Sequence, residues 1–467
     1  MIQDIVQRQR EFFSEGRTID PEFRLGYLRA MRRAIVDMED EIADALHEDL
    51  GKSSTEAYMT EIGMTLSELS CACRNIRKWS RPARAGSPLA QFPSRSAIIP
   101  EPYGTVLIMS PWNYPFLLCI SPLISAVAAG NTAIVKPSAY SPAASAVVRK
   151  LVGKVFPEEY VAVIEGGRAV NSDLLEQKFD YIFFTGSKAV GKLVMTKAAA
   201  HLTPVTLELG GKSPVIVDRT ADIAVSATRI VFGKFLNCGQ TCVAPDYILV
   251  HESIAEKFIG ACKDAVRRMY GDKPLESPGY GKIVNRKHFD RLASALAECH
   301  QDSVWGGETD AANLKIAPAI IRAGNISRQE DISGTEGTSM MQDEIFGPLM
   351  PVLAYSSIGD VIRYIDSRPR PLAAYIFTRD RKLKKMLLKR LRFGGGCVND
   401  TIIHLASERL PFGGVGESGM GQYHGKYGFD TFSHRKSIVH KSLMLDLPMR
   451  YQPYTSFKEK LIRIFLK

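Results

Sequence analysis

The stretch FLNCGQTCV, residues 235–243, places Cys238 and Cys242 four positions apart around Gly239. Four chemistries fit two such thiols: a metal site, a disulfide, inert burial, or nucleophilic attack by one of them. The metal reading is disfavoured because the chain has no Cys-x-x-Cys pair and no histidine close to this pair or to Cys71 and Cys73. A disulfide framework is disfavoured because eight cysteines are few for 467 residues, and no export signal precedes them. A cytoplasmic location is the expectation. Gly239 favours a loop over a helix, and a loop thiol becomes a nucleophile when a positive charge or a helix N-terminus lowers its pKa. An unreactive buried cysteine is the competing reading.

Further candidates lie elsewhere. Glu208, in VTLELGGKSPVIV, stands between two leucines. It is either an outward-facing strand residue or a general base whose pKa burial would raise. Asn113, in PWNYP, follows the apolar run TVLIM. Its amide would serve a developing oxyanion or simply a turn between prolines. FTGSKAVGK (184–192) nearly has phosphate-loop spacing, but Leu193 stands where such a loop needs Ser or Thr, and GxGxxG is absent. What remains is a strand, a glycine turn with Ser187, and a helix beginning near Ala189. That arrangement aims N–H groups at an anion.

The elements that must carry these residues are legible from texture. Residues 1–80 mix charged and apolar positions at helical spacing. RPARAGSPLAQFPSRS (81–96) breaks that pattern and reads as an exposed arm. From Thr105, β-branched runs (TVLIM, TAIVKPS, YVAVIEG, YIFFTGS) alternate with helix-like stretches, which predicts a parallel sheet with helices on its faces. In SPAASAVVRKLVGKV, Ser141 is placed to cap and Pro142 suits the first turn. Beyond about residue 209 a second series follows, with strands DYILVHE, MPVLAYS, PLAAYIF and GGCVNDT.

Composition excludes some classes. Apolar residues make up 45% and charged residues 24%, the balance of a soluble globular protein. No run of about 18 apolar residues would span a bilayer. The net charge of +10 is concentrated in places such as RDRKLKKMLLKRLR (379–392), with eight basic residues and one acid. Leu383, Leu387 and Leu391 give that segment one buried helical stripe, and without aromatic interleaving or a groove-reading motif no nucleic-acid partner is expected. The final SFKEKLIRIFLK puts Phe457, Leu461, Ile464 and Phe465 on one face. That helix would dock on the protein, cover a pocket, or touch an anionic membrane surface.

The ordered set PWNYP, KPSAYSP, FTGSKAVG, LELGGKSP, NCGQTC, DEIFGP and LPFGGVGESGMG resembles the aldehyde dehydrogenase superfamily from about residue 20 to 440. SGMGQYHGKYGFDTFSHRKS (418–437) and the short N-terminus look like its class 3 branch, which includes fatty and aromatic aldehyde dehydrogenases. The resemblance implies an α/β fold: a Rossmann-type cofactor domain (1–81 and 103–208), a catalytic α/β domain (209–410), an oligomerisation arm (82–102 with 430–445) and a basic amphipathic tail (446–467). It assigns Cys242 as nucleophile, Asn113 with the Cys242 N–H as oxyanion hole, and Glu208 as the base for water, leaving Cys238 a spectator. NAD or NADP would meet Lys136, Gly186, Ser187, Gly191, Glu344, Phe346 and Trp112, with Tyr114 and Phe412 lining the substrate tunnel. No metal is implied.

Many NAD-preferring members carry KPSE where this chain has Ala139, so acceptance of NADP is expected. A homodimer is the family pattern, and in some class 3 relatives a terminal helix covers the tunnel. Two alternatives stand beside aldehyde oxidation: transfer of the acyl group to coenzyme A, and an inactive scaffold or membrane-surface protein.

Overall fold

The computed structural model describes residues 2–328 and 338–466. Two sheets organise the chain. The first has six strands in the order Gly419–Met420, Val205–Leu209, Tyr181–Gly186, Thr105–Met109, Thr132–Lys136 and Val161–Val163. All pair in parallel except Gly419–Met420, which runs antiparallel to Val205–Leu209. The second has seven strands: Val304–Gly306, Ala319–Asn325, Leu349–Tyr355, Tyr247–His251, Pro214–Val217, Ala373–Phe377 and Gly395–Val398. Only its Val304–Gly306 edge is antiparallel.

The parallel strands carry continuous apolar runs because helices cover both faces of each sheet. Thr105–Met109 and Thr132–Lys136 are buried at every position. Against the first sheet pack the helices Ile2–Ser14, Leu117–Ala129 and Lys188–Ala199. The expected arm exists as a three-stranded antiparallel sheet of Ala83–Ala85, Ser94–Pro102 and Ser433–Lys441.

Two local expectations are corrected. Ser141 holds the cap position of helix Pro142–Val155, yet its side chain makes no capping bond. The Asp49 carboxylate does that work, accepting from the N–H groups of Ala143 (3.3 Å) and Ala144 (2.8 Å). A carboxylate is the stronger acceptor and adds its charge to the favourable end of the helix dipole. The C-terminal helix Ser456–Phe465 does not bury the expected face, since Phe457 (71%) and Ile464 (60%) are exposed. It leans on the arm segment Leu89–Gln91, with Ile462 and Phe465 lining the contact groove. The basic helix Arg381–Arg390 behaves as expected, with Leu387 and Leu391 buried.

Gly191 fixes how closely helix Lys188–Ala199 approaches its sheet, for a Cβ there would lie 2.7 Å from Leu209 Cδ2. Its role here is packing against Leu209, and it is absent from the lining of the central cleft. Gly191→Val is expected to cost about 1–3 kcal/mol by overpacking. Urea unfolding measures this, and an unchanged midpoint would show that the helix shifts freely.

Candidate active site

Loops at the carboxyl ends of the first sheet's strands, where open parallel sheets gather their functional groups, meet at Cys242 the loops that lead into the amino ends of the second sheet's strands. The nucleophile loop runs between helix Ile223–Phe235 and strand Tyr247–His251. Asn237 and Cys238 both have φ of 52°, and Gly239 has 74°. Left-handed backbone costs a non-glycine residue roughly 1–2 kcal/mol. It persists here because hydrogen bonds over-determine it. The Asn237 N–H donates to Glu56 Oε1 (2.8 Å), and its side-chain amide donates to the Asn113 carbonyl (2.7 Å). The buried Gln240 amide donates to the Asn237 carbonyl (3.0 Å) and the Lys282 carbonyl (3.0 Å), while its oxygen accepts from Val284 N–H (3.0 Å). Gly239 has no alternative, because a Cβ would stand 2.2 Å from the Gly347 carbonyl oxygen.

This kink separates the two cysteines. Cys238 is 2% exposed and packs with Tyr280, Ile283 and Phe289. Cys242 packs against the other core cluster and opens onto two cavities. Burial pushes the Cys242 thiol up to about 12, Glu344 and Glu208 add to the rise, and the backbone N–H groups of Cys242 and Val243 oppose it. The thiol is therefore protonated at neutral pH in the coenzyme-free protein.

Asn113 is 3% exposed. One amide hydrogen goes to the Gln240 carbonyl (2.9 Å). An amide NH2 carries two donors, so this bond orients the group and leaves the second for an incoming oxygen. Glu208 lies on strand Val205–Leu209, in register with Thr185 on one side and Gly419 on the other. It does not face outward: it is 3% exposed, and neither carboxylate oxygen has a hydrogen-bond partner. Burial alone raises its pKa well above the ordinary value. A buried carboxylate without partners is costly; one that lines a cleft beside a thiol is a candidate base.

The first cavity, about 330 Å³, is lined by Trp112, Asn113, Gly186, Ser187, Glu208, Cys242, Glu344 and Phe346. Most of the residues assigned to a dinucleotide thus share one cleft. Ser187 caps helix Lys188–Ala199, accepting from Val190 N–H at 3.5 Å. Glu344 crowds Gly210 so closely that a Cβ there would fall 1.9 Å from its Oε2. Its Oε1 is buried without a partner, as is Thr185 Oγ1. Desolvation first, then the nearby Asp246, raises the Glu344 pKa to about 8. The loop carrying it is pinned by Asp246, which accepts from Ile345 N–H (2.9 Å) and pairs with Lys212 (2.5 Å). Phe346 meets the Trp112 ring at 5.2 Å. Lys136 lies apart, 3% exposed at the end of strand Thr132–Lys136, with Nζ donating to the Pro137 carbonyl at 2.6 Å. Burial depresses its pKa.

The second cavity, about 180 Å³, is mostly apolar and includes Met59, Met64, Tyr114, Phe232, Ile402 and Phe412. Tyr114 is fixed by a 2.6 Å bond between its hydroxyl and Thr241 Oγ1. The two cavities share Cys242. Sequence reasoning missed His288 and Arg291, which enter the first cavity from helix Arg286–Ala297. Nothing in RKHFDRLASALA distinguishes them from a solvated basic face. It also missed Met59, Thr60 and Met64, since a helical segment near the N-terminus gives no signal that it will border a tunnel.

A buried Glu344 oxygen without a partner and a capped helix N-terminus after Gly186, on one cleft, fit a dinucleotide. The comparisons agree with this geometry. The sequence profile of the aldehyde dehydrogenase family matches residues 1–438. The chain is 47% identical to the 4,4'-diaponeurosporen-aldehyde dehydrogenase of Staphylococcus aureus, covering 98% of this chain and 97% of that one. It is 44% identical to aldehyde dehydrogenase family 3 member H1 of Arabidopsis thaliana, over 98% and 94% of the two chains. A solved structure of the substrate-bound state of Staphylococcus aureus AldH superposes over 100% of both chains, with TM-score 0.96 and 46% identity. The chain belongs to the aldehyde dehydrogenase family and is an aldehyde-oxidising enzyme.

Proposed function

We propose that the chain oxidises apolar aldehydes, aliphatic of medium or long chain or aromatic, to carboxylic acids with NAD or NADP. The single observation that carries this reading is that a polar cleft and an apolar tunnel meet at Cys242. The aldehyde enters from the apolar side. Cys242, its thiol proton passed to water in the cleft, adds Sγ to the carbonyl carbon, and the oxygen becomes an oxyanion beside the free Asn113 donor and the Cys242 N–H. Such a donor is typically worth about 3 kcal/mol. The dinucleotide, held by Glu344, Ser187 and the Trp112–Phe346 pair, supplies the hydride acceptor. Collapse of the tetrahedral adduct leaves a thioester on Cys242. Glu208, once ionised, takes a proton from water, whose oxygen attacks the thioester and releases the acid. A buried base in this cleft serves hydrolysis and not transfer to coenzyme A. A scaffold would have no use for an unpartnered buried carboxylate.

Ala139 is exposed and carries no charge toward the adenosine side of the KPS turn. This supports NADP acceptance. The arm supports a homodimer, since it exposes Leu89 (65%), Phe92 (55%) and Val439 (52%). The tail helix rests on this arm and not on its own tunnel, so any covering role would be exercised on a partner's tunnel. Exposed Phe457, Ile464 and Leu466 beside Lys458 and Arg463 also suit an anionic membrane surface. No helix among the described residues is long and apolar enough to cross a membrane. All eight cysteines are free, as in a reducing cytoplasm.

Four experiments test this reading. Hexanal with either coenzyme should give reduced nicotinamide in wild type and none in Cys242→Ala. Glu208→Gln should release one equivalent per active site and then slow by about 10²–10⁴-fold as acyl-enzyme accumulates. Because the Glu208 pKa is raised, its base form appears only as pH climbs, so wild-type deacylation should accelerate as pH rises and that of the mutant should stay flat. A steady state without a burst in Glu208→Gln would remove it from this role. For the coenzyme, wild type should turn over NADP, and Ala139→Glu should lower kcat/KM for NADP relative to NAD by about tenfold or more through like-charge repulsion. A strong NAD preference in wild type would refute the expectation. For the tail, truncation after Pro453 should flatten the chain-length profile and reduce pelleting with anionic vesicles. An unchanged profile and unchanged pelleting would leave the helix with neither role.

A further inference from the structure

Three charged side chains in KSSTEAYMTEI (52–62) point inward although they take no part in the chemistry described above. Lys52 is 1% exposed and Glu61 is fully buried. Their ion pair measures 2.5 Å. The remaining contacts of both groups go to the PWNYP loop. Lys52 Nζ donates to the Asn113 carbonyl (3.3 Å) and lies 4.1 Å from the Tyr114 ring centre. The second Glu61 oxygen accepts from the N–H groups of Phe116 (2.9 Å) and Leu117 (3.1 Å), at the positive end of helix Leu117–Ala129. Glu56 takes the other loop, accepting from the Asn237 N–H.

The backbone is adapted to this arrangement. On a regular helix, residues five apart point about 140° away from each other. Between Glu56 and Glu61 the helix widens into a five-residue turn, Tyr58–Ile62, closed by the Gly63 N–H donating to the Tyr58 carbonyl. Such a bulge inserts one extra residue and re-aims those beyond it, and it occurs often at functional sites.

We propose that Lys52, Glu56 and Glu61 are positioning residues: a charged clamp in the N-terminal segment 52–61 that sets the distance and orientation between the Asn113 donor and the Cys242 loop. The proposal rests on the aldehyde-oxidising reading of the site. Stability alone is a poor reason for the clamp, because a buried ion pair replaced by well-packed apolar residues is often neutral or stabilising. Its contacts fall on the backbone at Asn113, Phe116 and Leu117 and on Asn237 of the Cys242 loop, the supports of the oxyanion hole, where a 1 Å displacement costs on the order of 100-fold.

The paired replacement Lys52→Met with Glu61→Leu separates the two roles, and Glu56→Gln provides a milder variant on the other loop. Single-turnover formation of reduced coenzyme reads the acylation step, while aldehyde KM, coenzyme affinity and the unfolding midpoint read the rest. The clamp predicts a first turnover slowed about 10- to 100-fold in the paired variant, and slowed measurably in Glu56→Gln, with KM and coenzyme affinity within about twofold of wild type and the unfolding midpoint retained. A wild-type first turnover in both variants would overturn the clamp while leaving the family chemistry intact. Absence of coenzyme reduction by wild type would instead defeat the functional reading on which the clamp depends.

Discussion

The hydrogen bond from the Asn237 side chain to the Asn113 carbonyl joins loops that issue from different sheets. Asn113 follows a strand of the first sheet, and Asn237 precedes a strand of the second. The reverse bond, from the Asn113 amide to the Gln240 carbonyl, closes the ring. Each loop alone would be an irregular, polar and partly left-handed segment with unsatisfied backbone groups. Together they satisfy one another inside the protein, where an unpaired amide costs about 1–3 kcal/mol. The nucleophile therefore owes its position to the mutual placement of two sheets, and the two cavities meet where they do for the same reason.

Electrostatics follows from that placement. Glu208, Glu344 and Cys242 border one cleft, with little solvent to screen them. Burial and then both glutamates raise the Cys242 pKa, and burial raises those of the glutamates. Ionisation of Cys242 is therefore easier while Glu208 and Glu344 stay neutral, which links the thiol to the state of both carboxyl groups.

Much of this was legible in the sequence because it depends on local pattern. The β-branched runs at 105–109, 132–136 and 181–186 became parallel strands, and a cysteine beyond a glycine became a loop thiol. The residues that escaped notice are those whose role is set at long range. His288 and Arg291 occupy an ordinary amphipathic helix, and only the docking of that helix brings them into the cleft. Asp49 caps a helix 94 residues away, in place of the serine that local spacing nominates. Gly191 has a phosphate-loop spacing, yet it serves the close approach of a helix to Leu209. Local rules name residue types correctly and misassign partners whenever a distant group makes the stronger bond.

The Lys52–Glu61 pair extends that lesson to energetics. A lysine in the turn before a helix and a glutamate nine residues further on read as solvated surface, and charged residues are almost never fully buried unless paired. Their burial here is bearable because every polar atom finds a partner: the ammonium finds a carboxylate, a carbonyl and a ring face, and the carboxylate finds the ammonium and two helix N–H groups. Removing one partner would strand the other as an uncompensated charge, whereas removing both would leave only the Phe116 and Leu117 N–H groups without this acceptor. The same segment presents Met59, Thr60 and Met64 to the substrate tunnel. One piece of backbone thus lines the apolar cavity and supports the loop that carries Asn113, so the shape of the one and the placement of the other are set together.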